Sequence, residues 1–154
     1  MNAPTVFTTS LLKTWLDSLG VEHYICGECA GLHLQSLQAL GGVIESRLFI
    51  EEWGLLVSTE FQIRPSALLP LVAELGQLNG GFPTLKLFLD IVDEAMPQLV
   101  AGTTVLTGAG LSEAQFALFI SSTMEMVSEL GNDLRVMECL PVEDSGEDAP
   151  PQLH

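Results

Sequence analysis

Between Tyr24 and Leu34 the chain gathers two of its three cysteines and one of its three histidines. Cys26-x-x-Cys29-x-x-x-His33 offers two thiols and an imidazole, donor types that Zn²⁺ takes at tetrahedral sites. A closed structural site needs a fourth ligand, and His23 and Cys139 are the residues that could supply it. A redox use is also open. If Gly27-Glu28 forms a two-residue type II′ turn, Cys26 and Cys29 face each other across a hairpin with Cα atoms about 5.5 Å apart. That spacing permits a strained, reversible disulfide. Thioredoxin-like activation is not expected, because Ala30–Leu34 does not open a helix and the Glu28 carboxylate between the thiols disfavours thiolate. The plainer reading is a pair of half-buried hairpin cysteines, and the residues favour it over a zinc- or thiol-redox-sensing site built on Cys26, Cys29 and His33.

Elsewhere the chemistry thins out. Gly108-Ala109-Gly110 has the spacing that opens a dinucleotide loop, but Glu113 stands at the third glycine position and no βαβ unit surrounds it, so it reads as a plain loop before a helix capped by Ser112. No nucleophile, base and acid set is visible, and an enzyme is not expected. Glu51-Glu52 and Asp93-Glu94 read as solvated strand ends. Glu125, Glu129 and Asp133 recur at four-residue spacing on one helix face with no cation between them. Each like-charge pair costs roughly 0.2–0.5 kcal/mol, which a solvated face tolerates; a basic partner docking on these three residues is the functional use of that face.

The totals narrow the classes. A chain of 154 residues, 47% hydrophobic, suits one α+β domain over residues 1–140, followed by an acidic disordered tail over 141–154. Twenty carboxylates face five cations, for a net charge of −15, and Lys13, Arg47, Arg64, Lys86 and Arg135 are scattered singly. Nucleic acid and anionic membrane are therefore not expected partners, since both need clustered basic residues. No apolar run reaches the roughly 20 residues that span a bilayer, and the N-terminus lacks a signal-peptide pattern, so the expected location is the cytoplasm. An odd cysteine count in a reducing compartment does not indicate a disulfide framework.

The elements that must position the motif follow from periodicity. A first helix starts at Thr9 or Ser10, buries Leu12, Trp15, Leu16 and Leu19, and stops at Gly20. Glu22–Cys26 and Cys29–Gln35 form the hairpin, and residues 36–42 a connection. Ile44, Leu48 and Ile50 share one strand face opposite Glu45, Arg47 and Glu51, and after Gly54 the odd-numbered residues Leu55 to Ile63 face inward. Arg64-Pro65-Ser66 opens a helix with Leu68, Leu71, Val72, Leu75 and Leu78 along one stripe and Pro70 in its first turn, ending at Asn79-Gly80-Gly81. Residues 85–92 and 99–107 make a second strand pair, and Ser112 with Gln115 caps a last helix that buries Phe116, Phe119, Ile120, Met124, Val127, Leu130 and Leu134. The order is α-β-β-β-β-α-β-β-α, an antiparallel sheet with helices packed on it. Phe49, Leu56, Phe88 and Val92 fall on the side assigned to solvent, an apolar patch suited to a partner or a second subunit.

The chain resembles the YbjN family of bacterial sensory transduction regulators over roughly residues 10–130. Trp15-Leu16-Asp17-Ser18-Leu19-Gly20, Cys26-x-x-Cys29-x-x-x-His33-Leu34, Arg64-Pro65-Ser66-Ala67-Leu68-Leu69-Pro70-Leu71 and Phe88-Leu89-Asp90 carry the resemblance, the Arg-Pro-Ser block most specifically. That family is similar in fold to the type III secretion chaperones, small acidic α+β proteins that dimerise and bind extended peptide. The resemblance implies that fold, a regulatory or chaperone-like role and no catalytic residues. Together with the apolar patch, it leads to the expectation of a non-enzymatic protein-binding module that forms a homodimer.

Overall fold

The computed structural model describes residues 6–92 and 95–142. Thr8 opens helix α1 (Thr9–Leu19), its Oγ1 accepting the Leu11 N–H at 3.2 Å, and Gly20 closes it with φ of 70°. Leu12 and Leu16 are fully buried and Trp15 leans on Phe116, ring centroids 5.3 Å apart, whereas Leu19 sits at the helix end in contact with water. Two short strands follow, β1 (His23–Tyr24) and β2 (Leu32–Leu34). Then come a single-turn helix α2 (Gln35–Gln38), β3 (Val43–Glu51) and β4 (Gly54–Gln62). A 3₁₀ turn at Pro65–Ala67 leads into α3 (Leu68–Gly81), then β5 (Lys86–Asp90), β6 (Gln98–Leu106) and α4 (Glu113–Val136). The expected class and order hold: α+β, with all six strands antiparallel in the order β1-β2-β3-β4-β6-β5.

Strand β4 shows why the sheet has an inside and an outside. Leu55, Val57, Thr59 and Phe61 are all fully buried on one face, as period-two alternation demands. The register carries that face to Leu48 and Ser46 of β3, to Leu32 of β2, and to Leu99, Ala101 and Thr103 of β6. Phe116, Ile120, Val127, Leu130 and Leu134 of α4 cover it, with Leu12 and Leu16 of α1 and Leu71 of α3.

Several local expectations need correction. Gly27-Glu28 is not a two-residue hairpin turn. The β1–β2 ladder ends at Tyr24↔His33, and residues 25–31 form a longer loop that leaves the sheet plane. Residues 36–42 are not plain connection, because α2 starts directly after β2 and buries Leu37. Ile44 is exposed, displaced by a bulge between Val43 and Glu45, whereas Ile50 keeps the face of Leu48 opposite Leu55 but is 40% exposed near the end of the strand. Ser46 takes the inward position, satisfied by a 3.0 Å hydroxyl pair with Thr59. Val72 is exposed as well, leaving Leu71 and Leu78 as the buried residues of α3. The capping box at Ser112 and Gln115 is present, and α4 runs through Gly131, which is buried beside the Phe61 ring. The tail assigned to 141–154 lies, from residue 143 onward, outside the described residues.

Asn79-Gly80-Gly81 does not end α3, which runs on to Gly81 with Phe82 at its C-cap, and Asn79 works from inside the last turn. Its Oδ1 accepts the Leu87 N–H at 2.9 Å and its Nδ2 donates to the Leu87 carbonyl at 3.0 Å, tying α3 to β5. Asn79→Ala leaves that backbone pair without protein partners and should destabilise the fold by about 1–3 kcal/mol, read as a lower urea midpoint at unchanged slope.

Candidate functional site

One row of residues crosses the open face of the sheet: Tyr24, His33, Arg47 and Ser58 are register neighbours on β1 to β4. His33 points to that face yet is only 6% exposed, because other groups close around it. Tyr24 stacks on its ring at 4.5 Å and 7°. Glu45 Oε1 lies 2.9 Å from His33 Nδ1 and is itself held by the Gln38 side-chain amide and, at 3.0 Å, by the Ser46 N–H. The loop 25–31 lies over the same spot. Gly31 is required there, since a Cβ would meet the Phe49 ring at 2.9 Å and Arg47 Cβ at 3.1 Å. The loop brings Cys29 Sγ to 3.3 Å from His33 Nε2 and Cys26 Sγ to 3.3 Å from Cys29 Sγ, and the three donor atoms lie within 4.8 Å of one another.

These contacts move protons. Burial works to strip the proton from His33, but bonds to Cys26, Glu45 and Cys29 outweigh it and raise the imidazole to about 9. Burial works to protonate Glu45, and the bonds from His33, Gln38 and the Ser46 N–H outweigh it, holding the carboxyl below its ordinary value. The Glu28 backbone N–H, 3.4 Å from Cys26 Sγ, is the main cause that lowers this exposed thiol to about 6, with His33 and Cys29 adding to it. Glu28 therefore favours thiolate through its N–H, the reverse of the expectation drawn from its carboxylate. Arg47 sits beside Cys29 and Glu60, its guanidinium 3.2 Å from Glu60 Oε1; burial opposes its charge, and the Cys29 sulfur and Glu60 hold it.

The sequence motif is thus brought together, but not with the fourth ligands it suggested. His23 Nδ1 is 2.9 Å from the Val21 carbonyl and its Nε2 faces Asp17 at 3.6 Å. Cys139 is buried just past α4, where burial raises its thiol pKa against the opposing Arg64. Neither belongs to the cluster. Nor are Cys26 and Cys29 cross-strand partners, since both lie in the loop beyond the ladder. Glu45, Gln38 and Tyr24 were missed; the only signal for Glu45 was its place on the same β3 face as Arg47. Glu125, Glu129 and Asp133 are exposed along α4, as expected of a solvated face. Gly110 closes a plain turn through its N–H to the Thr107 carbonyl at 2.9 Å. Glu51-Glu52 is exposed at the β3–β4 turn, and Asp93-Glu94 lies outside the described residues.

A six-stranded antiparallel sheet with helices on one face and a cysteine–histidine loop on the other defines a small α+β protein, and comparison with known proteins gives its family. The chain belongs to the YbjN family, described as "Putative bacterial sensory transduction regulator", whose model matches residues 8–135. It is 34% identical over 137 residues to "Uncharacterized protein YbjN" of Escherichia coli K12, spanning 88% of this chain and 87% of that one, and equally similar to the protein of that name from Shigella flexneri. Among solved structures it is similar to the crystal structure of YbjN, "a putative transcription regulator from E. coli", with TM-score 0.85, 32% identity and coverage of 90% and 99% of the two chains. An uncharacterized protein from Methanothermobacter thermautotrophicus shares the fold alone, at TM-score 0.50 and 13% identity over 85% of this chain and 96% of that one. No helix of the described residues is long and apolar enough to cross a membrane.

Two outcomes follow for the reduced, metal-free chain. Alkylation of Cys26, followed by peptide mass, should reach half its maximal rate near pH 6, against roughly 8.5 for a free thiol. His33, raised from 6.5 to about 9, adds stability that is complete below pH 6.5 and lost as pH rises through 9. The Cys26 thiol, lowered to about 6, gains stability over the same window and opposes this loss, so the urea midpoint should stay nearly level from pH 6.5 to 9. Glu45→Gln should bring the imidazole proton's titration, followed by NMR, to lower pH.

Proposed function

We propose that this chain is a non-enzymatic regulatory module of the bacterial cytoplasm that binds another protein chain in a chaperone-like manner and associates as a homodimer. One observation carries the reading: the helices cover one face of the sheet, and the other face presents apolar side chains. Phe88 is 44% exposed and Leu106 75%, while Phe49 and Leu56 sit side by side in register, half-buried on the same face. Apolar surface held on a rigid sheet is a natural binding platform. The acidic strip of Glu125, Glu129 and Asp133 supplies long-range attraction for a basic segment of the bound chain. The regulator description of the family supports a binding role over a catalytic one.

A second reading, a sensor of zinc or of thiol oxidation, is favoured by the convergence of Cys26, Cys29 and His33.

Sedimentation of the purified chain over a range of concentrations tests the first reading. A reversible monomer–dimer equilibrium is expected, and Phe88→Glu or Leu106→Asp should shift it to monomer with the far-UV spectrum intact. A monomeric mass at every concentration, or a dimer indifferent to both substitutions, removes the open face as the association surface.

A further inference from the structure

We propose that Cys26 Sγ, Cys29 Sγ and His33 Nε2 bind one Zn²⁺, leaving a fourth coordination position open toward solvent. This rests on the second reading above and is independent of the open-face association. The spacing of the donors supports it. Two sulfurs at about 2.3 Å from a tetrahedral zinc stand roughly 3.8 Å apart. The Cys26–Cys29 sulfur separation and the Cys29 Sγ–His33 Nε2 separation are both 3.3 Å, and Cys26 Sγ lies within 4.8 Å of Nε2, so shifts of about an ångström bring all three donors onto one zinc.

The surroundings are those of a ligand set prepared in advance. The Glu45 carboxylate accepts the His33 Nδ1–H at 2.9 Å, which leaves the Nε2 lone pair aimed at the two sulfurs; a carboxylate behind a ligating imidazole is the usual support of such a site. Gln38 and the Ser46 N–H fix that carboxylate, and Tyr24 fixes the ring plane. The Glu28 N–H donates to Cys26 Sγ, offsetting thiolate charge from outside the coordination sphere. Two thiolates and an imidazole select a borderline-soft ion and reject Mg²⁺ and Ca²⁺, which want oxygen. Two thiolates balance the dication, and Glu60 balances the Arg47 guanidinium, leaving the Glu45 carboxylate to hold the His33 N–H. On binding, zinc takes the place of any protons on the thiols and on Nε2, which pass to solvent. The exposed Cys26 provides the route in.

A disulfide is the competing use of the same sulfurs. It must draw them from 3.3 Å to about 2.05 Å, needs an oxidant, and makes no use of the imidazole or of Glu45 behind it.

The test is Zn²⁺ titration of the full reduced chain against a chromophoric chelator, with Co²⁺ as spectroscopic reporter of thiolate coordination. One Zn²⁺ per chain is expected. Cys26→Ser and Cys29→Ser should each lower affinity at least about 100-fold, Glu45→Gln about 10- to 100-fold, and Cys139→Ser not at all. Cys26 is exposed, so its variant keeps the fold and isolates the ligand. Affinity weaker than micromolar, or tight binding untouched by Cys26→Ser, overturns the proposal. If zinc fails while mild oxidation joins Cys26 to Cys29 with loss of about two mass units, the metal assignment falls and the thiol-sensing reading stands.

Discussion

The burial of alternate residues along β4 is the constraint on which the rest of the molecule depends. Leu55, Val57, Thr59 and Phe61 are each removed from water completely, and β4 pairs along its whole length with β3 and β6. A one-residue slip would turn that set to solvent, so the register of β4 is strongly specified. β3 inherits its register from β4, β2 from β3 and β1 from β2. The stack of Tyr24 on His33 and the reach of Glu45 to the imidazole are therefore fixed by hydrophobic burial on β4, one to three strands away.

The polar cluster costs the fold something and is arranged to recover it. A buried imidazolium is unfavourable by itself, and here it is balanced by a carboxylate at 2.9 Å and by the sulfurs above it. The chain's net charge of −15 raises the local concentration of cations around an exposed thiolate, whereas acidic partners are held off. The loop over His33 lies directly against the apolar side chains of the open face through Gly31 and Phe49. A change of state at Cys26 or Cys29 is thus mechanically adjacent to the surface through which a partner would bind.

The long, strongly periodic elements were legible in the sequence: α1 with its Gly20 stop, the alternation of β4, the capping box of α4 and the pairing of β5 with β6. The Cys26, Cys29 and His33 grouping was legible as well, since three chemically distinctive residues within one short segment need no tertiary knowledge to be noticed. The rest depended on long-range placement. Nothing local to Glu45 marks it as the partner of His33; it becomes so because β2 and β3 pair with His33 opposite Arg47. Ile44 read as buried because alternation assumes an unbroken strand, and a bulge breaks it. His23 and Cys139 looked like ligands on composition, and the fold spends the first on Val21 and the second on the end of α4. The family resemblance stands through the match over residues 8–135.

Asn79 has a consequence beyond tying a helix to a strand. Its amide engages the N–H and carbonyl of Leu87 on the side of β5 away from β6, which is one free edge of the sheet. The opposite edge, β1, is two residues long and offers too few backbone groups to template another strand. With Leu87 engaged by a side chain on one border and the other border cut to two residues, the sheet offers little unbroken edge for open-ended growth into larger β-assemblies. A chain that must keep apolar surface exposed for binding can do so without aggregating only if its borders are sealed in this way.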